Sequence, residues 1–171
     1  RMTPESLSNV SPDEQYWAVR QTVIFRNTGE FPVEISGPDT EKFANFIFTR
    51  DISKFRPGRC SYQLACLHNG GMITDGVMLH LKTDKLWMAQ ADGDLFNWYL
   101  AHANNYEVSI TDPKVWVSQI QGPKSMQVLA DSIDGEFPAQ WNYFDIAEVV
   151  IAGEPVIITR TGFSNELGWE I

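Results

Sequence analysis

Asp75 and Tyr62 are the first residues whose types and spacing suggest chemistry. They lie in "SYQLACLHNGGMITDGVMLHL" (61–81), two alternating apolar stretches around Asn69-Gly70, a dipeptide favoured in two-residue hairpin turns. Such a turn sets Leu64 opposite Asp75 and Tyr62 opposite Val77, making the phenol a diagonal, same-face neighbour of the carboxylate. Alternation along the second strand puts Asp75 on a face with Ile73, Val77, Leu79 and Leu81. A carboxylate there is costly unless it is paired or lines a polar cavity. A few converging polar groups on apolar walls are the composition of a small-molecule pocket. A plainer arrangement fits too: Asp75 bonds backbone at a bend at Gly76, and Tyr62 is simply core.

A second constellation is "RTGFSNELGWEI" (160–171). If its end is a strand, Glu170 points away from Trp169 and Ile171. A carboxylate beside Phe163 could grip a flat heterocycle with an amino-pyrimidine edge, since two parallel N–H donors match its two oxygens. The alternative is an exposed strand glutamate.

Other chemistry is thin. No Gly-x-Gly-x-x-Gly, P-loop or nucleophile elbow is present, and Asp92-Gly93-Asp94 lacks the remaining ligands of a calcium loop. His68, His80 and His102 share no ligand spacing with each other or with the cysteines, so no metal site is expected. Cys60 and Cys66 on one strand would be about 20 Å apart, too far for a disulfide, and free thiols suit a reducing cytoplasm. The net charge of −9 argues against nonspecific binding to nucleic acid or to anionic membranes. The one dense basic stretch, "RDISKFRPGR" (50–59), reads as a solvated loop.

The elements that must position these groups follow from pattern. With 171 residues, 43% of them hydrophobic, the chain can bury a core as one domain or as two small halves sharing one. Residues 1–13 read as a flexible or loosely docked lead-in, and 14–21 as a short helix burying Tyr16, Trp17 and Val19. "FPVEISGPDTEKFANFIF" (31–48) is a strand, a Gly37-Pro38 step and a helix, with Pro38 at the first helical position and Phe43, Phe46 and Ile47 as the buried stripe. "WVSQIQGPKSMQVLADSI" (116–133) repeats the scheme 85 positions later, with Met126, Leu129, Ala130 and Ile133 on one side. Residues 84–92 add a strand after the hairpin, and 93–103 a helix burying some of Leu95, Phe96, Trp98, Tyr99 and Leu100. The expected class is α+β, with two related strand-turn-helix and antiparallel-sheet modules at 14–110 and 111–171, the second stopping inside a strand.

Taken in order, "VEISGPDTEKFANFIFTRDISKFRPGRCSYQLACLHNGGMITDGVMLHL", "SQIQGPKSMQVL" and "ITRTGFSNELGWEI" resemble the aminomethyltransferase family, the T-protein of the glycine cleavage system and its relatives. The resemblance runs from about residue 16 to 171. It implies the folate-binding lobes of a three-lobed ring around tetrahydrofolate, with the C-terminal lobes absent and a missing C-terminal half or partner chain completing the ring. By this resemblance Asp75 matches the catalytic aspartate that faces the folate nitrogen receiving the one-carbon unit. Tyr62 matches the hairpin tyrosine, Phe163 the aromatic of the T-G-Y motif, and Glu170 the glutamate gripping the pterin. A further family tyrosine falls at Tyr143 or Phe144. Thr74 stands where the family often has a first acid, and Leu79 where glycine-cleavage members usually carry tyrosine. "DKLWMAQADGDLFNW" (84–98) is similar instead to the folate-dependent demethylases, which move a methyl group from sulfur or oxygen to tetrahydrofolate. The implied partner is a small methyl or aminomethyl donor. The other activities the resemblance allows are the glycine-cleavage aminomethyltransferase and a folate-binding protein without transfer.

Overall fold

A computed structural model describes residues 10–138 and 140–171. The expected lead-in lies mostly outside these residues. The elements are α1 (Pro12–Gln21), β1 (Ile24–Asn27), β2 (Phe31–Ser36), α2 (Thr40–Ile47), β3 (Arg59–Cys66), β4 (Met72–Lys82), β5 (Lys85–Gln90), α3 (Leu95–His102), β6 (Ser109–Thr111), β7 (Ser118–Gln121), α4 (Ser125–Ser132), β8 (Ile146–Ile151), β9 (Glu154–Thr159) and β10 (Gly168–Glu170). They form two five-stranded sheets, ordered β3-β4-β5-β2-β6 and β1-β7-β10-β9-β8. The class is α+β, built on antiparallel pairing.

The chain divides into two compact units. The first comprises Asn27–Val117 with Phe144–Ala147, and the second comprises the chain up to Arg26, Ser118–Tyr143 and Glu148–Ile171. A single cut between 110 and 111 therefore does not describe them. Strand β1 lies beside β7, which places α1 and β1 with the C-terminal sheet. Strand β6 pairs with β2, Ile35 facing Ile110, and belongs to the first unit. Local periodicity identifies strands but not their neighbours, and the pairings decide the boundary.

The repeat around the Gly-Pro steps is physical. Gly37 and Gly122 take nearly the same left-handed φ, 128° and 124°. The Thr40 hydroxyl donates to the Gly37 carbonyl at 2.7 Å, and the Ser125 hydroxyl to the Gly122 carbonyl at 2.6 Å. Each is the first residue of an eight-residue helix, so Pro38 and Pro123 precede the helices rather than open them.

Helix α2 buries Thr40, Phe43, Ala44 and Ile47. Phe46 is turned out of the expected stripe, with its ring against His102 and Tyr106. In α4, Ser125 and Leu129 are buried and Met126 is exposed. Helix α1, held by a capping box between Ser11 and Glu14, buries none of its residues. Tyr16 and Trp17 are instead half-exposed and pack edge-to-face on each other at 5.2 Å. Adjacent helical residues point about 100° apart, so the two rings do not share one core-facing stripe. In α3 the buried pair is Leu95 and Tyr99.

Each unit has its own core. Ile35, Phe43, Met78, Leu86, Met88, Leu95 and Tyr99 fill the first, while Ile120, Leu129, Ile158 and Trp169 fill the second. Among the described residues no helix is long and apolar enough to cross a membrane.

On the first sheet, Glu34 accepts from the Trp87 indole at 2.7 Å and from Lys85 Nζ at 3.1 Å, with 13% of its side chain exposed. Burial pushes its carboxyl up, but these donors outweigh burial and hold it below the ordinary glutamate value. A depressed pKa stabilises the fold above the unfolded value of about 4.3, and that contribution is lost as pH falls through the lower folded value. Glu34→Gln keeps the shape without the charge. It should flatten the acid limb of a Tm-against-pH series below about pH 4; unchanged steepness there would contradict this account.

Candidate functional site

The hairpin pairs Leu64 with Asp75 and Tyr62 with Val77, the expected register. The turn that delivers it is different. The Leu67 amide donates to the Gly71 carbonyl at 2.7 Å and the Gly70 amide to the Leu67 carbonyl at 2.9 Å, with Gly70 at φ 86°. This is a three-residue loop, His68–Gly70, which alone would shift the register by one. The ladder steps from Ala65–Thr74 to Cys66–Met72, leaving Ile73 as an extra residue, and this bulge restores the pairing.

Register decides which side chains face where. Thr74, Met78 and His80 are buried on one face of β4, while Asp75 and Val77 on the other are half-buried. Asp75 thus lies on the more open face. Tyr62, 42% exposed, is not a core residue. Its hydroxyl donates to Asp75 Oδ2. That hydrogen bond first, then burial and the adjacent negative charge, raise the phenol's pKa above its usual value.

Thr74 is buried, and its hydroxyl donates to the Asp92 carbonyl at 2.7 Å, tying the loop before α3 to the hairpin. An ionised acid has no proton to donate there, which gives the threonine at this position a structural reason.

In the second unit, the Glu170 carboxylate is held from both sides. Gln119 Nε2 donates to Oε1 at 2.6 Å and the Thr161 hydroxyl to Oε2 at 2.5 Å. Thr159 Oγ1 lies 2.5 Å from Thr161 Oγ1, and Arg26 reaches Gln119 Oε1 at 3.3 Å. Glu170 is therefore neither a free glutamate nor a saturated one: each oxygen keeps a further lone pair. Phe163, on the loop after β9, is 88% exposed.

The glycines of this motif serve a neighbour. Gln121 is fully buried, and a Cβ on Gly162 or on Gly168 would overlap its side-chain amide. The amide contacts the Thr161 and Trp169 carbonyls at 3.4 and 3.3 Å, and its oxygen accepts from the Ser164 hydroxyl at 2.6 Å. Sequence reasoning missed Gln119, Gln121 and Thr161. The available signal was "SQIQ", a strand whose two amides fall on one face.

Of the two aromatic candidates at 143–144, Tyr143 belongs to the second unit and is 56% exposed, while Phe144 belongs to the first. Phe144 takes φ 70° and its carbonyl accepts from the Cys60 amide at 2.7 Å. The Ile146 amide donates to the Gly58 carbonyl at 3.0 Å, and Arg59 is ion-paired with Asp145. Phe144 and Tyr62 line a cleft of about 470 Å³ shared with Arg50, Lys54, Phe55, Arg56 and Arg59. The basic stretch is thus not a plain solvated loop. Ile52, 1% exposed, anchors a short 3-10 turn (Ile52–Lys54), and the cations border a concavity. The first unit brings together Tyr62, Asp75 and Phe144, while Tyr143, Phe163 and Glu170 lie in the second.

The sequence pattern of the GCVT N-terminal domain family matches residues 5–171. Dimethylsulfoniopropionate demethylase DmdA of Ruegeria pomeroyi is 32% identical over 144 residues, covering 83% of this chain and 39% of that protein. An aminomethyltransferase of Thermotoga maritima is 30% identical over 166 residues, covering 92% of this chain and 45% of that protein. The chain thus spans under half the length of these relatives. The crystal structure of glycine cleavage system aminomethyltransferase T from Bartonella henselae superposes with a TM-score of 0.82 at 19% identity, covering 94% of this chain and 45% of that one, a likeness of fold.

Proposed function

The chain belongs to the GCVT N-terminal domain family, and from that premise we propose that it serves tetrahydrofolate-dependent one-carbon transfer. A methyl or aminomethyl group moves from a small donor to tetrahydrofolate, and a demethylase-type donor is favoured over the glycine-cleavage intermediate by the stretch 84–98. The observation that carries this reading is the Tyr62–Asp75 pair, a phenol and a carboxylate hydrogen-bonded on the half-open face of a rigid hairpin.

The chemistry asked of the chain is mostly positioning. The folate N5 lone pair attacks the methyl carbon, the bond from carbon to the donor's sulfur or oxygen breaks, and that heteroatom leaves with its electron pair. The methylated nitrogen then loses its proton. Asp75 is the group proposed to orient N5 and accept that proton, with the Tyr62 hydroxyl fixing the carboxylate's direction. Glu170 is proposed separately to bind the amino-pyrimidine edge of the pterin. Its Gln119 and Thr161 donors set the carboxylate plane and leave lone pairs for two N–H groups.

The test is a thermal titration. Tetrahydrofolate at about 100 times its Kd should stabilise the folded chain by about 2.7 kcal/mol, read as a rising Tm. A Tm that stays flat through millimolar tetrahydrofolate would remove the proposal. A rise in Tm with no 5-methyl- or methylene-tetrahydrofolate formed from any donor would reduce the function to folate binding.

A further inference from the structure

Arg26, Gln119, Glu170 and Thr159 lie on β1, β7, β10 and β9, four neighbouring strands of one sheet. Glu170 stands directly opposite Gln119 on one side and Thr159 on the other, so these side chains share a face. All belong to the second unit. Gln119, Thr159 and Thr161 are buried, Glu170 is half-buried and Arg26 is exposed. Among the described residues, Arg26 has no carboxylate within ion-pair distance. Its guanidinium reaches Gln119 Oε1 instead, at 3.3 Å.

The hydrogen-bond directions along this row are forced. A guanidinium only donates and an ionised carboxylate only accepts. Gln119 lies between one of each, so its oxygen faces Arg26 and its amide nitrogen donates to Glu170 at 2.6 Å. On the far side the Thr161 proton is committed to Glu170 Oε2 at 2.5 Å, so Thr159 must be the donor in its 2.5 Å contact with Thr161. Two chains of donors thus converge on one carboxylate. An amide pinned at both ends holds the plane of the carboxylate it touches, whereas an amide pinned at one end swings. We propose that Arg26 is a positioning residue: through Gln119 it fixes the Glu170 carboxylate and restricts the site to ligands that present two parallel N–H donors. This deepens the folate reading and rests on it, since the amino-pyrimidine edge of tetrahydrofolate is such a donor pair. A ligand with one N–H uses one oxygen and gains little from a fixed plane.

Calorimetry compares tetrahydrofolate with its 2-desamino-2-methyl analogue, which lacks the exocyclic donor, on the full wild-type chain, Arg26→Ala and Arg26→Lys. Arg26 is exposed, so its replacement spares the core. The wild type should prefer tetrahydrofolate by at least about 100-fold, because a site built on hydrogen bonds rejects a ligand that leaves one unmade. Arg26→Ala should cut that preference about tenfold. Arg26→Lys, also a donor-only cation, should keep it within about threefold of the wild type. A preference unchanged in Arg26→Ala, whether both ligands weaken together or neither does, would overturn the proposal and leave folate binding intact. A second readout needs no ligand: the Gln119 side-chain amide protons, followed by NMR, should exchange with solvent at least about tenfold faster in Arg26→Ala. If neither ligand binds the wild type, the functional reading falls. Faster exchange would then still support Arg26 as the residue that fixes Gln119 on Glu170, and unchanged exchange would end both.

Discussion

Alanine at Gly162 or Gly168 should destabilise the chain by about 3 kcal/mol, a large part of a small domain's stability. The new methyl would occupy space held by the Gln121 amide, which is fully buried. A long side chain at the surface would swing aside. This one is held through Ser164, Thr161 and Trp169, and moving it leaves a polar amide without partners in the core. Shortening the neighbour should relieve the overlap, so Gly162→Ala with Gln121→Ala should melt higher than Gly162→Ala alone. Urea denaturation of the four-member cycle measures that coupling. Strictly additive losses would show that the glycine is required for another reason.

Asp75→Asn is the second. If the carboxylate takes the proton that the folate nitrogen loses, the amide should reduce turnover by about 10²- to 10⁴-fold. Tetrahydrofolate affinity should change by less than about threefold, because asparagine keeps the size and a hydrogen-bonding oxygen. Tyr62→Phe is the companion: it removes only the donor that orients Asp75, and its loss of turnover should be smaller. Single-turnover rates, measured beside folate binding on the full chain, separate transfer from affinity. Asp75→Asn with wild-type turnover would dismiss Asp75 as the proton acceptor, whatever the fate of the folate reading.

The hairpin shows why some of this was legible in the sequence. The register of β3 and β4 is the one a turn at Asn69-Gly70 implies, but alternation did not mark the more buried face: Thr74, Met78 and His80 are buried, while Asp75 and Val77 are half-buried. The turn itself is also different. Asn69-Gly70 suits a two-residue turn, yet the chain closes over His68–Gly70 and recovers the register with a bulge at Ile73. The Gly-Pro repeat was equally plain, since identical backbone demands recur 85 positions apart. Glu170 was harder. Its donor Gln119 lies on another strand, and nothing local to "GWEI" reveals that both oxygens are already engaged. Phe46 and Trp17 mark the same gap from the apolar side: α2 buries Ala44 and leaves Phe46 outside, and α1 buries none of its residues, Trp17 included.

The placement of β1 beside β7 and of β6 beside β2 also bears on how the polypeptide is made. A ribosome emits α1 and β1 almost a hundred residues before β7, so the earliest strand must wait for its only neighbour in the sheet. Contacts of such long sequence separation slow folding. Residues 31–111 hold every strand of the first sheet, whereas the second needs both ends of the chain. A peptide starting at 111 would leave the outer side of β7 bare, an open edge on which two copies could associate.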